Sequence, residues 1–274
     1  MHTSIDRIRI VKIEKIVDET STVRTLAFRD GISSKAGAGQ FLMIWIPGAE
    51  ELPMSAMIWS KQFYAAVTVR KKGYGSTSLY NKRVGDSLGV RGPYGNTFEI
   101  HNNAKKVMLV GGGTGLVPLL RLAGPLNSSR IDTTIIIGAR THVEVFFEKL
   151  ALKCLEDTTH RVIVTTEDGS YGVRGQATDI MQILVDAERF DTIYTCGPEG
   201  MMKKVFQLAL EKSIPIQASL ERYMKCGIGI CASCCIGDRL VCKDGTIFDG
   251  ENLSSLSEFG LEYRDKSGRR CPYL

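Results

Sequence analysis

Val107-Met108-Leu109-Val110 runs without a break into Gly111-Gly112-Gly113-Thr114-Gly115, and Leu116-Val117-Pro118 follows. The short apolar run reads as a buried strand, the glycines as a tight turn and the last three residues as a helix start. Pro118 suits that first helical turn, where its missing N–H costs nothing. A strand, turn and helix in this order present backbone N–H groups and the positive end of a helix dipole to an anion. The turn is not G-x-G-x-x-G, and no acidic residue marks a ribose partner. Read alone, it serves either a nucleotide or a tight structural connection.

The rhythm that begins here continues. Buried-strand runs at 133–137, 161–165 and 192–195 alternate with helical stretches at 116–122, 143–153, 177–185 and 200–212. This is the βαβ pattern of a parallel sheet covered on both faces. Tyr194-Thr195-Cys196-Gly197-Pro198-Glu199 falls at the carboxyl end of a later strand, the edge where open α/β sheets bind ligands. A plain strand-to-helix turn punctuated by Gly-Pro reads equally from these residues.

Upstream, residues 1–100 are β-rich. RIRIVKIEKIV at 7–17 alternates apolar residues, and 23–28, 41–46 and 64–69 are further strand candidates. Turn signals at Lys35-Ala36-Gly37-Ala38-Gly39 and Pro47-Gly48 separate them, which suggests a small antiparallel β-barrel. Downstream of Ser219 the chain is rich in loops, glycines and cysteines, as suits a small module held by a cofactor. The expected fold class is multi-domain β plus α/β. An N-terminal antiparallel β-barrel (1–102) precedes a central parallel α/β nucleotide-binding domain (103–218) and a small C-terminal module (219–274).

The 274 residues are 43% hydrophobic and 24% charged, near the globular average. Residues 1–10 lack the apolar core of a signal peptide, and no apolar run approaches the ~18 residues that cross a bilayer. A soluble, cytoplasmic chain is the expectation. The net charge of +5 is spread through the sequence, with basic clusters at Arg70-Lys71-Lys72 and from Lys266 to Arg270. Both read as solvated faces, or as contacts to a phosphate-bearing cofactor or an acidic partner; nothing resembles a nucleic-acid module.

Five of the eight cysteines fall between Cys226 and Cys242. Cys226, Cys231 and Cys234 stand in C-x4-C-x2-C spacing and Cys242 follows, the plant-ferredoxin arrangement for a [2Fe–2S] cluster. Three thiolates converge from one loop, and Gly227 and Gly229 let backbone N–H groups approach the sulfurs with no Cβ in the way. Zinc ribbons pair C-x2-C with C-x2-C, which is absent. A redox dithiol at Cys231 and Cys234 would need a thioredoxin-like helix start. Cys235 breaks the spacing and reads as a bystander.

Together these segments resemble the ferredoxin-reductase superfamily, and within it the electron-transfer subunits of heteromeric dihydroorotate dehydrogenases. The resemblance covers the whole chain. It rests on Leu52-Pro53-Met54-Ser55, Arg70-Lys71-Lys72-Gly73-Tyr74-Gly75-Ser76, Gly92-Pro93-Tyr94-Gly95, the glycine turn, Cys196-Gly197-Pro198 and the cysteine module. Leu220 to Cys226 and Val241 to Gly250 are its most family-specific stretches.

The resemblance implies FAD on the barrel, with Pro53, Met54 and Ser55 along the isoalloxazine and Arg70, Gly75 and Ser76 at the ribityl chain and pyrophosphate. It implies a nicotinamide nucleotide, NAD, at Gly111, Gly112, Gly113, Thr114 and Gly115 and at Cys196, Gly197 and Pro198. It also implies a hetero-oligomer with a flavin-containing catalytic subunit that oxidises dihydroorotate, and no membrane partner. Other expectations are the equivalent subunit of an NADH-dependent ferredoxin reductase or a hydrogenase, or a redox-sensing protein scaffolded by its cluster. One departure matters. The family carries Arg where this chain has Leu52, and a charge-assisted hydrogen bond to a flavin phosphate is typically worth ~1.5–3 kcal/mol.

Overall fold

The computed structural model describes residues 5–155 and 160–273. Residues 1–4, which belong to the stretch read for a leader, and Leu274 at the end of the C-terminal module lie outside them. Six antiparallel strands come first: β1 (Arg9–Asp18), β2 (Val23–Arg29), β3 (Phe41–Trp45), β4 (Glu51–Met57), β5 (Tyr64–Arg70) and β6 (Ser87–Tyr94). They close in the order β1-β2-β5-β4-β3-β6, with the short helix α1 (Tyr74–Tyr80) between β5 and β6. Ile13, Leu26, Phe28, Leu42, Ile44, Val67 and Leu88 fill the interior.

Two of these strands are not apparent in the sequence reading. Pro53 speaks against a strand through 51–57, because proline cannot donate to a ladder. It is tolerated because β4 pairs with β3 through Glu51–Ser55 but with β5 only through Ala56 and Met57. One edge of β4 therefore stays open beside Pro53. In β6, Gly89 and Gly92 mask the periodicity; a Cβ on Gly89 would come within 2.8 Å of Trp45 and Ile8 side-chain atoms.

The second layer is a seven-stranded sheet. Its strands and helices alternate as β7 (Lys106–Gly112), α2 (Leu116–Ser128), β8 (Asp132–Ala139), α3 (Glu148–Cys154), β9 (Arg161–Thr166), β10 (Val173–Arg174), α4 (Ala177–Ala187), β11 (Thr192–Cys196), α5 (Glu199–Glu211) and β12 (Ile216–Ser219). Strand alternation sends Val107 and Leu109 to the core under α2 and Met108 and Val110 to the core under α4 and α5. The helix expected at 143–153 is shorter. Phe147 takes a left-handed φ of 69° and stacks edge-on against Phe146 at 4.8 Å, so α3 begins only at Glu148.

After β12 come β13 (Cys235–Ile236), β14 (Arg239–Leu240), α6 (Val241–Asp244), β15 (Ile247–Asp249), α7 (Gly250–Ser255), β16 (Glu262–Arg264) and β17 (Arg270–Pro272). This segment does not stand apart. β15 pairs antiparallel with β12 and so completes the large sheet. Cys234, Ile236, Val241, Cys242, Phe248, Leu256 and Phe259 share one core with Met202, Val205 and Phe206 of α5 and with Phe41, Met43 and Tyr94 of the barrel. The cysteine segment is thus wedged between the two layers.

The layers are also tied by Arg121 of α2. Its guanidinium donates to the carbonyls of Ala36 (2.6 Å), Met57 (2.8 Å) and Ser34 (3.1 Å). Among the described residues no helix is long and apolar enough to cross a membrane.

Candidate redox site between the barrel and the sheet

The glycine turn and the Cys196 segment meet at the carboxyl edge of β7 and β11. Their register sets Cys196 beside Gly111, and Thr195 Oγ1 donates to the Val110 carbonyl at 2.9 Å. The approach leaves no room for side chains. A Cβ on Gly115 would strike the Cys196 carbonyl, and one on Gly112 would come within 3.0 Å of Pro198. Gly113 has φ +57°, which favours glycine, and Gly197 φ +153°, where a side chain would be strained. Cys196 is fully buried, which pushes its thiol pKa up; Glu221 adds to the shift.

Arg70 reaches this turn from the barrel. Its Nη1 lies 3.8 Å from where a Gly113 Cβ would stand, and its Nη2 bonds Glu144 at 3.0 Å. Glu221 follows β12 at the same edge. Its side chain opens to solvent, yet enough protein surrounds it to raise its carboxyl pKa, with Lys72 opposing the shift and Glu199 adding to it.

Pro53, Met54 and Ser55 lie half-buried on β4, opposite Met43, Leu42 and Phe41 of β3. Beyond β5, the Ser76 hydroxyl accepts from the backbone N–H groups of Gly73 (2.9 Å) and Lys72 (3.1 Å), which holds the turn into α1. The Gly75 N–H donates to Glu50 Oε1 at 3.0 Å, and the same carboxylate takes Lys266 Nζ at 2.9 Å. A side-chain anion thus rests on a backbone donor with a cation against it, a donor set that suits a phosphate oxygen. Leu52 supplies no charge here; it packs against the barrel interior.

The cysteine loop turns on Gly227 (φ +73°) and Gly229 (φ +79°). Backbone N–H groups of Ile228, Ile230 and Cys231 point at Cys226 Sγ at 3.4–3.5 Å, and that of Gly229 at Cys242 Sγ at 3.2 Å. The Cys242 N–H faces Cys234 Sγ at 3.4 Å. Among the described residues no three His, Cys, Asp or Glu side chains close on one point as ligands of a single ion. The thiols act on one another along the loop, Cys226 on Cys231 and both Cys234 and Cys226 on Cys242. Against the cost of burial, hydrogen bonds from Ser233 and Cys226 bring the Cys231 thiol pKa down to about 6. Burial and then Cys234 push that of Cys242 up to about 12. Amides aimed at sulfur and four neighbouring thiols on a glycine loop fit a two-iron cluster with four cysteine ligands. Cys235 belongs to β13 instead, its N–H bonded to Ala232.

The loop sits directly on the barrel. A Cβ on Gly227 would come within 2.8 Å of Met43, and Met43 is in register with both Pro53 and Arg91. Arg91 bonds Glu51 through Nε (2.9 Å) and Nη2 (2.6 Å) and donates to the Cys226 carbonyl at 3.1 Å. The sequence reading misses Arg91, Glu50 and Glu144, since none lies in a motif, and gives Glu221 no role although it stands in a family-specific stretch. Lys266 belongs to a basic cluster that the sequence reads either as a solvated face or as a contact to a phosphate-bearing cofactor or an acidic partner.

Residues 221–254 match the sequence profile of the iron-sulfur cluster binding domain of dihydroorotate dehydrogenase B. A Methanocaldococcus jannaschii chain assigned as the electron transfer subunit of dihydroorotate dehydrogenase B (NAD(+)) is 41% identical over 96% of this chain and 98% of its own. Its counterpart from Pyrococcus furiosus is 38% identical over 97% and 99%. Among solved structures, the NADH-dependent reduced ferredoxin-NADP oxidoreductase superposes with a TM-score of 0.80 at 28% identity, covering 94% of both chains. A ferredoxin NADP+ reductase from Neisseria gonorrhoeae shares the fold, with a TM-score of 0.63 at 18% identity over 75% of this chain and 91% of its own. With its reductase-like pair of layers and its cysteine loop between them, the chain belongs to the family of dihydroorotate dehydrogenase B electron transfer subunits.

Proposed function

We propose that this oxidoreductase subunit passes electrons between a flavin-containing catalytic partner, which oxidises dihydroorotate in pyrimidine biosynthesis, and a nicotinamide acceptor. Residues 1–102 serve FAD, 103–218 serve NAD and 219–274 serve a [2Fe–2S] cluster. Cys226, Cys231, Cys234 and Cys242 hold the cluster. Pro53, Met54, Ser55, Arg70, Gly75 and Ser76 hold FAD, and the Gly111–Gly115 turn with Cys196, Gly197 and Pro198 receives NAD. When bound, the cluster carries single electrons and FAD exchanges them for the two-electron chemistry of a nicotinamide.

The chain's own work is placement and electrostatics. The Gly75 N–H and Lys266 offer donors to a phosphate oxygen, provided that Glu50 gives way. Arg70, one hand on Glu144 and the other over Gly113, sets a cation where a pyrophosphate would approach the turn. Arg121 keeps the two layers at a fixed spacing, so groups held on each keep their distance. The observation that carries this reading is the seating of the cysteine loop on Met43, one strand from the open edge of Pro53. A permanent complex with the catalytic subunit is the partner arrangement, and a thiolate-rich site suits the reducing cytoplasm.

The test is co-purification with the dihydroorotate-oxidising subunit, followed by visible absorption and flavin extraction. The expected result is a complex holding about two irons per chain and FAD on this subunit. FMN as the sole flavin of this chain, or an iron-free chain purified without oxygen, would sink the reading. The 0.80 superposition on the NADH-dependent reduced ferredoxin-NADP oxidoreductase favours a second reading, the equivalent subunit of such a reductase. Ferredoxin in place of dihydroorotate as electron donor to the purified complex would select it.

A further inference from the structure

We propose that Arg91, balanced by Glu51, is a positioning residue that both seats the cluster loop and raises the reduction potential of the cluster. The inference rests on the cluster assignment above and concerns residues that no motif singles out.

Arg91 projects from β6, and its side chain is only 13% exposed. Nε and Nη2 grip the two oxygens of Glu51, and Nη1 meets the Tyr94 hydroxyl at 3.4 Å. Nη2 also donates to the Cys226 carbonyl. That carbonyl belongs to the first ligand cysteine and leads into Gly227, the residue that packs on Met43. A planar, permanently charged fork suits this double duty, because Nη2 serves both the carboxylate and the carbonyl while Nε stays on the carboxylate. Of the other cations on this stretch, Lys225, Arg239 and Lys243 are exposed and screened by water, and buried Arg222 is committed to Glu199. Arg91 is thus a poorly screened positive charge bonded directly to the loop.

Reduction adds one electron, and so one negative charge, to the cluster. A neighbouring cation stabilises the reduced form more than the oxidised one, while Glu51 opposes it. Charge and hydrogen bonding around the ligands are the levers that set such potentials. Removing Arg91 leaves Glu51 unbalanced and should lower the potential. Removing Glu51 leaves Arg91 unbalanced and should raise it. Opposite signs from the two halves of one ion pair distinguish electrostatic tuning from loosening of the fold, which would shift both variants the same way.

The experiment is a dye-equilibrated redox titration of the full chain, followed by the electron paramagnetic resonance signal of the reduced cluster. Wild type is compared with Arg91→Gln, Glu51→Gln, Arg91→Lys and the Arg91→Gln/Glu51→Gln pair. The single Gln variants should move the one-electron equilibrium about tenfold, ~59 mV, in opposite directions. The double variant should return toward wild type, and Arg91→Lys, which keeps the charge, should retain most of the potential. If Arg91→Gln fails to assemble a cluster, an upward shift in Glu51→Gln with retention in Arg91→Lys still upholds the proposal. Shifts of the same sign, or none in Glu51→Gln, overturn it while leaving the cluster assignment intact. A wild-type chain with no cluster signal overturns both.

Discussion

Glu199→Gln removes one charge from the most enclosed ion pair among the described residues. Glu199 opens α5, directly after Cys196-Gly197-Pro198, and its side chain and that of Arg222 are 4% and 2% exposed. Its Oε1 accepts Arg222 Nη2 at 2.9 Å and the Gly260 N–H at 2.8 Å. Its Oε2 accepts Arg222 Nη1 and the Tyr273 hydroxyl, the latter at 2.8 Å. All four partners are donors. A glutamine must turn its NH2 toward at least one of them, and it leaves the Arg222 cation without its carboxylate. Breaking a buried pair in this way typically costs ~3–5 kcal/mol. At 2–4 °C per kcal/mol for a domain of this size, the melting temperature should fall by roughly 6–20 °C.

Because either Gly260 or Tyr273 then faces the new NH2 and loses its acceptor, the C-terminal hairpin should also open to trypsin at Arg264, Arg269 and Arg270. Thermal unfolding by circular dichroism and limited proteolysis read the two effects. Replacing both partners with methionine should recover much of the loss, since a buried pair exchanged for apolar residues is often neutral. The Arg222 Nε already lacks a partner among the described residues, so the pair is not fully satisfied as it stands. A melting temperature within about 2 °C of wild type for Glu199→Gln would refute the reasoning.

Cys231→Ser should abolish the cluster absorption and Cys235→Ser should leave most of it; loss with Cys235 and retention with Cys234→Ser would overturn the ligand set. Leu52→Arg should slow flavin loss on dilution, and an unchanged rate would count against a phosphate near β4. Ile228 and Ile230 are 40% and 78% exposed beside the ligands, so Ile228→Asp should weaken assembly with the catalytic subunit while sparing the flavin, as gel filtration of the mixture would show. The Glu188 carboxyl is held down to about 2 from its ordinary 4.5, first by Arg161 and then by Lys106. Its contribution to stability is therefore present above about pH 4.5 and fades as pH falls toward 2. Urea unfolding should show a gap between wild type and Glu188→Gln at pH 6 that shrinks at pH 3; equal gaps at both would reject the linkage.

Strand-turn-helix periodicity around 107–118 and the C-x4-C-x2-C run need only neighbours along the chain, so both are visible in the sequence. The core strands of the parallel sheet and helices α2, α4 and α5 follow from the first. The candidate ligand cysteines and the exclusion of Cys235 follow from the second. Resemblance extends this reading to Pro53-Met54-Ser55 as candidate flavin contacts, on a stretch that residue patterns alone would have passed over for its proline. β4 exists because its partner β3 supplies the ladder on one edge, and that is a fact of tertiary pairing.

What only the fold decides is which distant residues share an environment. Arg91 and Cys226 are 135 positions apart, and Glu50 and Lys266 are 216 apart. Neither pair leaves a local signature, because a charged residue on a strand or in a tail reads as solvated whatever it later meets. The same holds for β15, whose three residues join the large sheet only because the edge of β12 awaits a partner. Local chemistry thus determined the kinds of site this chain can build. Packing of the cysteine loop between barrel and sheet decided where they stand, since burial and ion pairing depend on contacts that no sequence spacing encodes.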